Sequence, residues 1–126
     1  MNVLIIALAA VTPTQVSEAD VLVVAPALGS GLRRWVSDED DARRRAEQLA
    51  GAFVELLSRG GVQAKGRAGD ADPLLAIADA LATFPADEIV IAGRPERGRG
   101  REKLLSRIRN RFALPIRDWD SAPTAA

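Results

Sequence analysis

The stretch from residue 69 to residue 101 constrains the fold more than any other part of the sequence. It begins with residues 69–73 (GDADP), continues as an amphipathic segment to Thr83, and then enters the apolar run 88–92. A loop rich in Gly and Arg follows at 93–101. This order predicts a helix, a buried strand and a loop that opens another helix, which is where parallel α/β folds hold anionic ligands.

Short apolar runs alternate with segments of helical periodicity along the chain, and this alternation predicts βαβ units with a parallel sheet. Strands that are covered on both faces are almost continuously apolar, so the first, second and fourth strands are expected in the centre and the more polar third and fifth at the edges. The sequence thus predicts a single-domain flavodoxin-like or Rossmann-like α/β sandwich over residues 1–120, with a flexible tail at 121–126. The five predicted strands are 3–9, 21–25, 62–67, 88–92 and 116–119.

Three longer helices are predicted between these strands. The first follows Ser37, which forms an N-cap box with Asp40, and it ends at Gly60-Gly61. The second starts at Asp72-Pro73, and the third covers 101–111. Only residues 10–20 separate the first two strands, so a helix there is limited to about two turns and leaves one side of the sheet thinly covered. That side is a candidate partner surface, although the chain could simply be a compact variant.

Composition excludes several kinds of chemistry. The chain of 126 residues has no Cys and no His, which removes the usual zinc sites, thiol nucleophiles and His-based triads. Asp70 and Asp72 are too few carboxylates for a metal site, and no acid/base pair stands out, so a non-catalytic protein without a metal is expected. Seventeen basic and seventeen acidic residues cancel, so no overall charge directs the chain to nucleic acid or membrane.

The apolar run 3–9 is too short to span a membrane and has no basic residue before it. It is therefore interpreted as a buried strand rather than the core of a signal peptide, and a cytoplasmic location is expected.

The order of these elements and three of their segments resemble the universal stress protein family. The segments are 21–26 (VLVVAP), 69–77 (GDADPLLAI) and 86–93 (ADEIVIAG), and the similarity runs from residue 21 to about residue 114. The segment 25–40 is also similar to an actinobacterial subgroup of that family. The resemblance implies a sheet of order 3-2-1-4-5, a role in stress response and a homodimer.

Two departures from the family pattern bear on ATP. Nucleotide-binding members carry an Asp soon after the first strand, where this chain has residues 7–10 (ALAA). They also carry Gly-x2-Gly-x9-Gly-[Ser/Thr] after the fourth strand, and here Gly93 is followed by Glu96 and Ser106 at the second and third glycine positions. An acidic side chain where a phosphate should lie is unfavourable, so ATP is not expected to bind in the family's manner. The chain is interpreted as a non-catalytic regulatory or interaction module.

Basic residues are concentrated between residues 94 and 111, where the net charge is +6. Arg side chains beside a helix N-terminus can hold phosphate, so the alternative function is a binder of a nucleotide or small phosphorylated ligand. These residues could equally serve only to solvate the loop and helix. An electrostatic nucleic-acid binder is a more distant alternative, because no aromatic residue lies near enough to stack on bases. The candidate ligand residues are Pro26, Asp70, Gly93, Arg94, Arg97, Gly98, Arg99 and Gly100.

Self-association is expected, by one of two routes. Universal stress proteins commonly pair their last strands, but Pro115 and the charges of Arg117 and Asp118 are expected to weaken that contact. The thinly covered side of the sheet is the second route. A protein partner is also compatible with this surface.

Overall fold

The computed structural model of the chain describes residues 1–11, 20–28, 38–93 and 100–119. They form one five-stranded sheet of order β3-β2-β1-β4-β5, in which all four strand pairs are parallel. This arrangement confirms the predicted flavodoxin-like or Rossmann-like α/β fold, with the two polar strands at the edges. The elements are β1 (Asn2–Ala7), β2 (Asp20–Pro26), α1 (Asp38–Arg59), β3 (Ala64–Gly69), α2 (Pro73–Leu81), β4 (Glu88–Ala92), α3 (Gly100–Arg111) and β5 (Ile116–Trp119).

The two faces of the sheet carry separate hydrophobic clusters, because alternate residues of each strand point to opposite sides. On one face, α1 packs through Phe53 and its neighbours against Val3, Ile5 and Val23. On the other face, α2 and α3 pack through Ile77 and Ile108 against the alternate residues of β1, β2 and β4. All these side chains are almost fully buried. The central strands are therefore covered on both sides, which explains their continuous apolar sequence.

Helix α1 ends just before Gly60-Gly61, as the sequence predicts. The way in which it ends makes β3 start later than predicted. The backbone N–H of Val62 donates to the carbonyl of Leu57 at 2.9 Å, which ties Val62 to the end of the helix. The third strand therefore runs from Ala64 to Gly69, about two residues later than predicted. The N-cap box at Ser37 lies outside the described residues.

Helix α2 has the start that its sequence predicts. The side chain of Asp72 caps it by accepting a hydrogen bond from the N–H of Leu74 at 3.0 Å, and Pro73 occupies the first turn. The carboxylate of Asp70 accepts a bond from the N–H of Asp72 at 2.9 Å and so holds the chain before the cap. This local structure fixes the connection between edge strand β3 and α2.

Strand β5 is held to β4 by side chains as well as by backbone. Arg117 donates to Glu88 through two nitrogens, with Nε–Oε2 at 3.0 Å and Nη2–Oε1 at 2.7 Å. These hydrogen bonds, together with the attraction of the carboxylate, raise the pKa of the Arg117 guanidinium, although burial acts in the opposite direction. Trp119 is buried at the end of the same strand. The last strand is thus firmly attached to the sheet.

The short connection between β1 and β2, and the tail after residue 119, largely fall outside the described residues, and with them the predicted two-turn helix. On the face of the sheet that α1 shares, Val90 and Ala92 of β4 are fully buried. The apolar surface suggested there as a partner site is therefore covered at these two positions. Among the described residues, no helix is long and apolar enough to cross a bilayer.

Candidate functional site

The candidate site lies at the carboxyl edge of the sheet, which is the edge where the parallel strands end. Pro26 ends β2, Asp70 follows β3 and Gly93 follows β4, so the topology brings all three to this edge. Ligands of open α/β sheets bind in the crevice outside this edge. The three predicted residues therefore lie at the expected edge of the sheet. What they can bind depends on the contacts that each of them already makes.

Pro26 and Asp70 lie close together because β2 and β3 are neighbours. Pro26 is paired in register with Gly69, and the N–H of Ala27 donates to the Gly69 carbonyl at 3.1 Å. The next N–H, of Leu28, donates to the carbonyl of Pro26 at 2.8 Å. The donors that leave β2 are thus used within the protein, and the Asp70 carboxylate is occupied by the N–H of Asp72.

Gly93 is committed to the fold in two ways. Its N–H donates to the carbonyl of Trp119 at 2.8 Å, which continues the ladder between β4 and β5. Its φ is +88°, and a Cβ at this position would lie 2.7 Å from the nitrogen of Ala9 and 2.8 Å from its Cβ and oxygen. A glycine is required here because the chain leaving β4 passes directly against the chain leaving β1. This requirement accounts for Gly93 without any ligand.

The remaining predicted residues are only partly described. Arg94, Arg97, Gly98 and Arg99 lie outside the described residues, and Gly100 is the first residue of α3. Gly93 lies three strands away from Asp70, which is about 14 Å at about 4.8 Å per strand. A single phosphate group cannot contact both, so Asp70 and Gly93 do not form one anion site.

A polar recess that the sequence did not indicate lies beside Asp70, at the carboxyl end of edge strand β3. It has a volume of about 330 Å³, and its charged lining comprises Arg43 of α1, Arg67 of β3, Asp70 and Asp79 of α2. In the sequence, Arg43 falls within the predicted first helix and Arg67 is the last residue of the predicted third strand, 62–67. The alternation of Lys65 and Arg67 on an edge strand was the available signal, since it places both side chains on one face.

A larger recess of about 800 Å³ lies at the opposite edge, where the strands begin. Its walls include Leu22, Val62, Lys65, Phe84 and Pro85. Ligand sites of parallel sheets are found at the carboxyl edge rather than here. This recess therefore does not coincide with the predicted site.

The charged side chains that line the recess beside Asp70 are balanced, with two cations, Arg43 and Arg67, and two carboxylates, Asp70 and Asp79. No cluster of three or more carboxylates that could hold a metal ion occurs among the described residues. The Asp70 and Asp72 carboxylates both serve as hydrogen-bond acceptors for backbone N–H groups.

Comparisons of the sequence do not identify a family. No protein-family model matches the chain, and no curated protein shows significant similarity to it.

Proposed function

We propose that the chain is a regulatory or interaction module of the universal stress protein type, without catalysis of its own and without ATP binding in the manner of that family's nucleotide-binding members. The family assignment is supported by the three segments quoted above and by a sheet order that agrees with the resemblance. A role in stress response and a cytoplasmic location belong to the same proposal and rest on the sequence argument.

The observation that carries the ATP part of the proposal is the environment of Gly93. The resemblance makes this residue the first glycine of a phosphate loop, in which backbone N–H groups approach phosphate oxygens. Here the N–H of Gly93 donates to Trp119, and its Cα faces the backbone of Ala9. The residue has a structural role that would have to be broken before its N–H could reach a phosphate.

The experiment is calorimetry of the folded protein with ATP and magnesium. The proposal expects no saturable heat at micromolar ATP. A clear binding isotherm with micromolar affinity would overturn it.

A variant can separate two possible causes of the lack of ATP binding: the missing glycines at positions 96 and 106, and the contacts of Gly93 with Trp119 and Ala9. The triple substitution Glu96→Gly, Ser106→Gly and Arg107→Ser restores the family's spacing without changing Gly93. If Gly93 is the obstacle, this variant also fails to bind ATP. If the variant binds and the parent does not, the missing glycines alone account for the lack of binding, and the Gly93 argument is wrong.

The second candidate function is a binder of a nucleotide or small phosphorylated ligand through the loop at 94–99. The supporting observation is that residues 94–99 connect Gly93, at the carboxyl edge of the sheet, with Gly100, the first residue of α3. On this proposal, sulfate raises the melting temperature more than chloride at equal ionic strength, and the Arg97→Ala, Arg99→Ala variant loses the difference. An unchanged response in the variant would leave these residues a solvating role only. Steep loss of binding with salt, spread over many of the basic residues, would favour nucleic acid instead.

The proposal includes a homodimer through β5, and the structure changes one expectation about this strand. The carbonyl of Pro115 accepts from the N–H of Ile89, so Pro115 faces β4 and removes no donor from the outer edge. Ile116 alternates with Pro115, so its backbone N–H faces outward.

Sedimentation of the parent and of Ile116→Pro tests this contact, because the substitution removes an outward N–H without removing a bond to β4. A dimeric parent and a folded monomeric variant are expected, whereas a monomeric parent would exclude the dimer. The second expected route, through the thinly covered side of the sheet, could be tested by a charged substitution at Val16, which lies outside the described residues.

A further inference from the structure

We infer that the outer edge of β3 is a docking site for an extended peptide of another protein that carries acidic side chains at alternate positions. The peptide would add a sixth strand to the sheet beside Ala64–Gly69. This inference deepens the proposed role as an interaction module and rests on it, but it does not depend on whether ATP binds.

The backbone of β3 presents unused hydrogen-bonding groups along its outer side. The Gly69 carbonyl accepts from the N–H of Ala27, so Gly69 faces β2, and by alternation Lys65 and Arg67 do the same. The N–H and carbonyl groups of Ala64, Gly66 and Ala68 therefore point away from the sheet. Within the described part of the chain, no hydrogen bond covers these outward groups. A further strand can pair with them.

The side chains of Lys65 and Arg67 give this edge its charge. Both are exposed and project from the same face of the sheet, two residues apart. Neither forms an ion pair or hydrogen bond with any residue that the structure describes. Acidic side chains two residues apart on a paired strand would lie directly opposite them, at the distance of a cross-strand pair.

Space for a further strand is present beside α1 and at both ends of β3. A Cβ added at Gly51 on α1 would have no atom within 4 Å. The recess of about 800 Å³ reaches Lys65 from the amino end, and the recess of about 330 Å³ reaches Arg67 from the carboxyl end. The recesses also contain carboxylates, Asp20 in the first and Asp70 and Asp79 in the second. Acidic residues of the peptide other than the two that face Lys65 and Arg67 would meet these carboxylates, so the charge pattern favours a peptide with acids at those two positions only.

The charge of Lys65 and Arg67 also indicates whether the outer edge of β3 pairs with another protein or with a second copy of this chain. If two copies paired antiparallel through β3 about a two-fold axis, Lys65 and Arg67 of one copy would face Arg67 and Lys65 of the other. Like charges directly opposite each other destabilise a strand pair. An acidic peptide removes this repulsion, so it is the occupant that the edge fits.

The test uses the full chain and a capped seven-residue peptide, Val-Thr-Glu-Val-Glu-Thr-Val, with a matched peptide that has Lys in place of both Glu. Binding is followed by calorimetry and by amide NMR at low salt. We expect saturable binding of the acidic peptide, with the N–H signals of Ala64 and Gly66 among those that shift most, and no binding of the basic peptide. The inference fails if the acidic peptide does not bind at millimolar concentration, or if the shifts fall elsewhere.

Two further arms distinguish strand addition from simple attraction of charges. Two N-methylated peptides are compared, one methylated at its two glutamates and one at the residues between and beside them. The backbone N–H groups of only one of these sets face β3 in the complex. One methylated peptide should therefore lose binding and the other should keep it. The variant Lys65→Glu, Arg67→Glu binds at least tenfold more weakly, whereas Lys103→Glu, Arg107→Glu on α3, with the same change of charge, binds like the parent. Equal binding of both methylated peptides, or equal weakening in both variants, overturns the inference.

Sedimentation of the parent without peptide shows whether β3 of one copy pairs with β3 of another. Self-association that is lost in the Lys65→Glu, Arg67→Glu variant would also overturn the inference. Failure of these arms leaves the ATP calorimetry to be judged separately.

Discussion

The two outer strands of the sheet carry basic residues in very different ways. On β5, Arg117 is bound to Glu88 of the neighbouring strand by two hydrogen bonds, and Trp119 next to it is buried. On β3, Lys65 and Arg67 are exposed and have no partner among the described residues. A charge on an edge strand can therefore either fasten the strand to the sheet or remain available to solvent and partners. In this protein the last strand does the first and the third strand does the second.

The largest expected difference between the two strands concerns Trp119 on β5 and Arg67 on β3. Trp119→Ala removes a buried indole and should lower the free energy of unfolding by about 3 to 5 kcal/mol. The matched truncation on β3, Arg67→Ala, removes an exposed side chain and should change it by no more than about 0.5 kcal/mol. Urea unfolding of both variants measures the contrast, which similar losses in the two variants would contradict.

Strand β3 is tightly packed under α1 at Gly66. A Cβ at Gly66 would lie 2.8 Å from Cγ2 of Val54 and 3.1 Å from the carbonyl oxygen of Ala50. Gly66→Ala should therefore destabilise the protein by about 1 to 3 kcal/mol, as overpacking does. Gly51→Ala is the control: it is an exposed helical glycine with no atom within 4 Å of the added Cβ, so it should stabilise the protein by about 0.5 to 1 kcal/mol. Thermal unfolding that moves in the same direction for both would show that the edge of β3 is not pressed against α1.

The pair between Glu88 and Arg117 should contribute a measurable coupling energy. Glu88 has a side chain that is 12% exposed and Arg117 one that is 36% exposed, so solvent screening reduces the interaction without removing it. A double-mutant cycle with Glu88→Gln and Arg117→Gln should give about 1 kcal/mol. The pair Glu55 and Arg59 on α1, both mostly exposed, is the comparison and should give about 0.5 kcal/mol or less. Equal coupling energies would mean that partial burial does not strengthen the pair between Glu88 and Arg117.

The smallest effect is expected where the proposed docking site lies. Replacing Lys65 and Arg67 together by Gln should change the free energy of unfolding by less than about 0.5 kcal/mol, because neither side chain has a partner in the described residues. A loss above about 1 kcal/mol in urea unfolding would show that these residues stabilise the fold rather than await a partner.

The sequence predicts the fold well because its strongest signals are local or periodic. The continuous apolar runs identify the central strands, and Asp72 with Pro73 marks the start of α2 correctly. The start of β3 was predicted about two residues early because the bond between Val62 and Leu57 is a property of the folded helix end. Composition alone could not reveal that bond.

The candidate site is less predictable, because its decisive contacts join distant parts of the chain. A glycine after a strand is compatible with a phosphate loop or with a close backbone crossing, and only the position of Ala9 shows the second. The same holds for Arg117, whose bond to Glu88, 29 residues away, has no local sign in the sequence. Long-range pairing of this kind has no signature in local sequence.

Residue-by-residue amide hydrogen exchange, followed by NMR in the free protein, compares the carboxyl edge with the edge at β3. We expect slow exchange at Gly93 and at Trp119, whose N–H groups face neighbouring strands, and fast exchange at Ala64 and Gly66, whose N–H groups face outward. We also expect the exchange rate of Gly93 to stay unchanged when ATP is added. Fast exchange at Gly93 together with protection at Gly66 would contradict the account, because the carboxyl edge would then be the open part of the molecule and β3 the closed one.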